Sequence, residues 1–237
     1  MTNKYSISSK KLTKSGILLF VSILFISGIS TTAFASGRSE EVTMTEEVAE
    51  PVVPVSMDGA EEAVLAGGCF WGVEGVFERI DGVLDVVSGY SGGEADTATY
   101  HQVGSGNTGH AESVRIMFDP EKVSYRTLLK VFFNVAHDPT ELNFQGPDVG
   151  TQYRSAIFYT NDEQKKECEE FIRELKSEKV FDKKIVTELA ALDTFYPAEE
   201  YHQDFMRLNP NHGYIVYWDM PKIINLEKMY PELLAVK

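Results

Sequence analysis

Gly67-Gly68-Cys69-Phe70-Trp71-Gly72 is the stretch of this 237-residue chain best equipped for chemistry, and Cys69 is one of only two cysteines. Ala63-Val64-Leu65-Ala66 reads as a buried strand. Two glycines then turn the chain, and Phe70, Val73, Phe77 and Ile80 recur on one helical face. Cys69 therefore opens a helix. The free N–H groups and partial positive charge of a helix N-terminus favour a thiolate and lower the thiol pKa. This makes Cys69 a candidate nucleophile; the plainer reading is a small buried hydrophobe beside aromatic rings.

Two more motifs follow in order, Gly109-His110-Ala111-Glu112 and Gly150-Thr151-Gln152-Tyr153-Arg154-Ser155. With Gly-Cys-Phe-Trp-Gly they resemble the A-type peptide methionine sulfoxide reductases, which act on the S epimer. The resemblance runs from about Glu61 to about Pro210. It implies reduction of free and protein-bound methionine S-sulfoxide by thiol attack on sulfur, leaving a cysteine sulfenic acid.

Such a reaction needs a nucleophile, a proton donor for the departing oxygen and an apolar pocket for the thioether methyl. Cys69 is the nucleophile, and the resemblance makes Phe70 and Trp71 the pocket walls. Glu112 coincides with the family's acid; a carboxyl facing an apolar cavity has its pKa raised and stays protonated. Tyr100 and Tyr153 match the two hydroxyls that hold the same oxygen, and phenols donate without carrying charge at neutral pH. Asp148 matches the carboxylate that helps to position substrate or water. Taken singly these residues are bland: a surface glutamate, two core rings with a wet edge, a turn aspartate. Phe144 departs from the family pattern, which leads one to expect a polar or basic side chain there.

Many family members carry resolving cysteines in a C-terminal tail, which form a disulfide for thioredoxin to reduce. The tail of this chain, residues 209–237, contains none. Cys168 shares one helical face with Phe171, Ile172 and Leu175, which predicts a buried, inert thiol. A single-cysteine cycle follows, reset by a thioredoxin-like protein or a small thiol. A resolving Cys168 and a structural Cys69–Cys168 disulfide are the alternatives. His101, His110, His137, His202 and His212 include no pair at the spacing of a helical metal site, so neither metal nor other cofactor is expected. His202, in Tyr201-His202-Gln203-Asp204, also fits the family pattern, in a structural role. Two rival functions share these features: a thiol peroxidase with the same sulfenic product, and a non-catalytic module gripping peptides between Phe70 and Trp71.

The elements that must position these residues begin after two appendages. Residues 1–35 read as a secretory signal, with four lysines, an apolar run from Ile17 to Ile29 and the small-x-small site Ala33-Phe34-Ala35. This predicts export to the periplasm or beyond, with an uncleaved membrane anchor as the alternative. Cleavage removes four of the 22 Lys and Arg and no acid, leaving 18 against 36 Asp and Glu, a net charge of −18. So acidic a surface excludes nucleic acid as a partner and suits a soluble monomer. Residues 36–58, acidic and without periodicity, read as a disordered linker.

The catalytic domain then occupies residues 59–237. Strands are expected over Val83–Tyr90, Ser113–Phe118, Ser155–Tyr159 and Val186–Leu192, and helices from Ser124, from Asn161 to Ser177 and from Ala198 to Leu208, with a short last helix over Asn225–Leu234. The glycine-rich stretch from Ser91 to His110 is too long for a mere connector. Such alternation predicts an α+β two-layer sandwich. The family resemblance implies a ferredoxin-like βαββαβ core with long loops.

Overall fold

A computed structural model of the chain describes residues 59–235. The expected signal peptide and linker lie outside the described residues. The apolar run after Glu61 forms β1 (Glu61–Gly67), and Cys69 caps α1 (Phe70–Phe77). β2 (Val83–Ser91) follows, then the glycine-rich stretch, which folds into a 3-10 turn at Ala95–Thr97 and the one-turn α2 (Tyr100–Val103). After β3 (Ala111–Phe118), the Ser124 hydroxyl accepts the Thr127 N–H at 3.2 Å and starts α3 (Tyr125–Val131), which widens into a π-turn over Phe132–Ala136. A small hairpin, β4 (Phe144–Gln145) and β5 (Asp148–Val149), leads through a 3-10 turn at Thr151–Tyr153 to β6 (Ser155–Tyr159). Asn161 caps α4 (Asp162–Ser177), accepting from the Gln164 N–H at 2.9 Å. β7 (Glu188–Ala191), β8 (Phe195–Pro197), a 3-10 turn at Glu200–His202 and α5 (Phe205–Leu208) come next. A π-turn at Ile215–Asp219 runs into α6 (Met220–Met229), with Pro221 in its first turn, and Pro231–Leu233 closes the described chain.

One six-stranded sheet in the order β7-β6-β1-β3-β2-β8 carries these elements, antiparallel except for the β6–β7 pair. Its alternation sorts side chains between two clusters. Ala63 and Leu65 of β1 join the main core with Phe77 of α1, Leu128 of α3, Phe171 of α4 and Leu226 of α6, so helices cover that face. Val64 and Ala66 point the other way, into a small cluster with Ala156, Phe158 and Phe195. The fold class is α+β, as the sequence predicts.

Three segments differ from expectation. β3 starts two residues earlier than predicted and is buried along its whole length, which draws Glu112 inside the strand. The helix expected over Ala198–Leu208 is broken by Asp204, which takes a left-handed conformation (φ 54°). The cause is Gln203, whose side chain acts as a strand partner: its Oε1 accepts the Ser88 N–H at 2.9 Å and its Nε2 donates to the Ser88 and Ala198 carbonyls at 3.0 and 2.9 Å. The last helix starts at Met220 rather than Asn225 and stops at Met229, where the expectation ran on to Leu234.

Candidate active site

The turn that delivers Cys69 depends on Gly68, which sits at φ 91°, where a Cβ would come 2.6 Å from Gln145 Cβ. The chain then enters α1, whose first N–H groups have no carbonyl partner within the helix. The Phe70 N–H donates to Glu112 Oε2 at 3.1 Å, across from β3, and so brings the acid to the helix end that carries the thiol. Glu112 is 3% exposed. Burial, helped by the nearby Asp148 charge and opposed by the Phe70 N–H, pushes its carboxyl up to about 8. It is therefore protonated at neutral pH, as the sequence predicts.

Cys69 corrects one expectation. The helix end does favour its anion, through the Trp71 N–H, and Lys222 adds to this. Burial dominates, however, and with Glu112 and Asp219 it holds the thiol well above its ordinary value. A low pKa read from helix position alone neglects desolvation of a side chain that is 9% exposed.

The aromatic walls are held from the C-terminal half. The Trp71 Nε1–H donates to His202 Nδ1 at 3.1 Å, and the indole lies flat on Phe205 with ring centroids 3.8 Å apart. Burial lowers His202 to about 4, so its ring is neutral and free to accept. The same ring packs against Phe70 at 5.0 Å and Tyr100 at 4.4 Å. His202 thus has the structural role that the family pattern implies.

Tyr100 is placed by Glu199, which accepts the Tyr100 N–H and the Tyr90 hydroxyl, each at 2.8 Å. Tyr153 stands in the 3-10 turn before β6. Burial raises both phenols above their ordinary value, which keeps them as neutral donors. Asp148, on β5, accepts a hydrogen bond from the Tyr214 hydroxyl, and burial raises its carboxyl too.

All seven residues nominated from the sequence line a single cavity of about 240 Å³. Two further residues line it, His212 and Tyr214. The sequence offers His212 only as a possible metal ligand; Tyr214 sits in a tail without periodicity, and nothing in its local sequence marks it. Among the described residues no group of three or more His, Cys, Asp or Glu is arranged for a metal ion. Cys168 lies elsewhere, fully buried on α4 with its sulfur 3.2 Å from the Tyr125 hydroxyl, and burial raises it to about 11. Both cysteines are free thiols.

Gly72 has a packing reason to lack a side chain: a Cβ there would come 2.0 Å from Asp219 Oδ1. Gly72→Ala is expected to cost about 1–3 kcal/mol, the usual price of overpacking, read as a fall in thermal midpoint. An unchanged midpoint would show that the C-terminal element moves aside freely.

Residues 61–233 match the family described as Peptide methionine sulfoxide reductase. Among curated proteins the chain is similar to Peptide methionine sulfoxide reductase MsrA 2 of Mesorhizobium japonicum, 56% identical over 179 residues, which span 76% of this chain and 92% of that protein. It is 51% identical over 195 residues to the Synechocystis protein of the same name, spanning 80% and 91%. Among solved structures it is similar to Mxr1 of Saccharomyces cerevisiae in reduced form, with TM-score 0.59 and 36% identity over 65% of this chain and 87% of that one. Methionine sulfoxide reductase A of Corynebacterium diphtheriae gives 0.57 and 33%, over 65% and 77%. The family match over residues 61–233 and relatives at 51–56% identity agree: the chain belongs to the peptide methionine sulfoxide reductase family, in its A-type (MsrA) branch.

Proposed function

We propose that this enzyme, a peptide-methionine (S)-S-oxide reductase, moves the sulfoxide oxygen onto Cys69 inside the 240 Å³ cavity. Phe70 and Trp71 take the methyl group, while Tyr100, Tyr153 and the protonated Glu112 take the oxygen. Cys69 attacks sulfur from the remaining side. Three fixed places around a chiral sulfur accept one configuration, which accounts for selection of the S epimer.

As the sulfur–sulfur bond forms, Glu112 protonates the oxygen. The hydroxyl then passes to the Cys69 sulfur and the S–S bond breaks, releasing methionine and leaving Cys69 as a sulfenic acid; the thiol proton replaces the one Glu112 gave. An outside thiol condenses with the sulfenic acid, expelling water, and a second thiol frees Cys69. We assign that role to a thioredoxin-like protein or a small thiol, because residues 209–237 hold no cysteine and Cys168 is buried away from the cavity. Asp148, with Tyr214, positions the substrate or a water.

The observation that carries this reading is the convergence of the thiol, a carboxyl raised to about 8 and the aromatic walls on one cavity. It is tested by the intact mass of the reduced protein after one turnover on methionine S-sulfoxide, with free methionine counted alongside. One methionine released and one oxygen retained on Cys69 is the expected result. Methionine with loss of two hydrogens from the protein would make Cys168 the resolver. Accordingly, Cys168→Ser is expected to leave turnover unchanged with any reductant and to lower the thermal midpoint slightly, through its Tyr125 contact.

We further read the core as ferredoxin-like. What supports this is the order β6-β1-β3-β2 within the sheet, with α1 joining β1 to β2 and α3 joining β3 to β6. The signal-like residues 1–35 support a reading of the enzyme as exported, repairing oxidised proteins outside the cytoplasm, or as anchored at the membrane if the signal is not cleaved. The N-terminal sequence of the mature protein decides between these two.

A further inference from the structure

Two charges beside α1 take no part in the steps above. Asp219, the last residue of the π-turn, is fully buried; its Oδ1 accepts from Lys222 Nζ at 3.0 Å, and its Oδ2 has no partner among the described residues. Both side chains fill the space that Gly72 leaves open, since a Cβ there would come 2.0 Å from Asp219 Oδ1 and 2.7 Å from Lys222 Nζ. Gly72 lies three residues after Cys69, so the pair sits on the helix face that carries the thiol.

The charges around Cys69 come from every element packed on it. Glu112 faces it from β3, Tyr100 from α2 and Tyr153 from the turn before β6. Tyr214, Asp219 and Lys222 face it from the C-terminal element. Lys222 is the cation of this set, and its field also reaches Asp148 and His137.

We propose that Asp219 and Lys222 form a charge clamp on the nucleophile: Asp219 holds the ammonium against the Gly72 face of α1, where it serves as counter-ion to the negative charge Cys69 carries as it attacks sulfur. The proposal rests on the reading of Cys69 as nucleophile. Lys222 is a positioning residue, acting through Cys69. Each member of the clamp acts on Cys69 with opposite sign.

The test is the pH profile of Cys69 alkylation by iodoacetamide in the full chain, read by peptide mass, beside single-turnover reduction of methionine S-sulfoxide. Lys222→Gln is expected to move the profile to higher pH and slow alkylation about tenfold at neutral pH, as a shift of one unit would. Asp219→Asn is expected to move it to lower pH, the double variant to fall between them, and Lys222→Arg to restore the wild-type profile. Opposite shifts are a signature that loss of packing would not produce. Should Asp219→Asn fail to fold, Lys222→Gln and Lys222→Arg decide alone. Unmoved profiles, or shifts of one sign in folded variants, overturn the clamp while leaving Cys69 as nucleophile; a Cys69→Ser protein that still reduces sulfoxide overturns the reading beneath it.

Discussion

A Cys69→Ser protein is expected to release no methionine from methionine S-sulfoxide, a loss of about 10⁴-fold or more of the kind seen when a nucleophile is removed. Two reasons make the loss this large. A hydroxyl is a far weaker nucleophile than a thiol, and no base stands ready to deprotonate it, because Glu112 holds its own proton up to about pH 8. Nor does a serine oxygen have anywhere to put the transferred atom: the product would contain an O–O bond in place of a sulfenic acid. The fold should survive, since the side chain is small and the swap nearly isosteric. Methionine release by chromatography, beside a thermal melt, checks both halves. Turnover within tenfold of wild type would move the chemistry away from Cys69.

Glu112→Gln is expected to slow reduction by about 10²–10⁴-fold, the usual contribution of a positioned general acid. The wild-type rate should fall as pH rises through about 8, where the carboxyl loses the proton it donates, and the glutamine protein should lack that limb. In stability the Glu112→Gln variant differs from wild type in the opposite sense. The carboxyl titrates near 4.5 ordinarily and near 8 in the fold, so the folded state binds the proton more tightly. The stability that proton confers is fully present below pH 4.5 and lost as pH rises to 8. Glutamine carries no such penalty, so the variant should gain on wild type in thermal midpoint across that window. Gaining stability while losing rate would mark Glu112 as a residue kept for chemistry. An unchanged rate at neutral pH would remove it from that role.

Much of this site was legible because its parts are local. Gly67 to Gly72 specifies strand, turn and helix start within a few residues, whereas Glu112 and Tyr153 are bland in their own context and are nominated by the family resemblance of their motifs. The supporting shell was not legible, because long-range contacts build it. Trp71 is oriented by His202, 131 positions away, and Asp148 by Tyr214, 66 away. No periodicity encodes either bond. The failed helix over Ala198–Leu208 has the same cause: a side-chain amide 115 residues from Ser88 outcompeted local helix propensity. The Cys69 charge state was misjudged because a helix end can be read from sequence, whereas the solvent that burial removes cannot.

In the proposed mechanism the hydrogen bond from the Phe70 amide to Glu112 changes character during the reaction. Before transfer the acid is neutral, and the contact is an ordinary one at 3.1 Å. Once the proton has gone, the same N–H faces a carboxylate, and a bond to an ionised acceptor is roughly twice as strong as a neutral one. The backbone therefore waits in place for the conjugate base, with nothing to reorient when it forms. Rigid, genetically invisible donors of this kind survive any side-chain substitution at Phe70 short of proline, so drift at that position can alter the methyl pocket while the receptor for the spent acid is inherited unchanged.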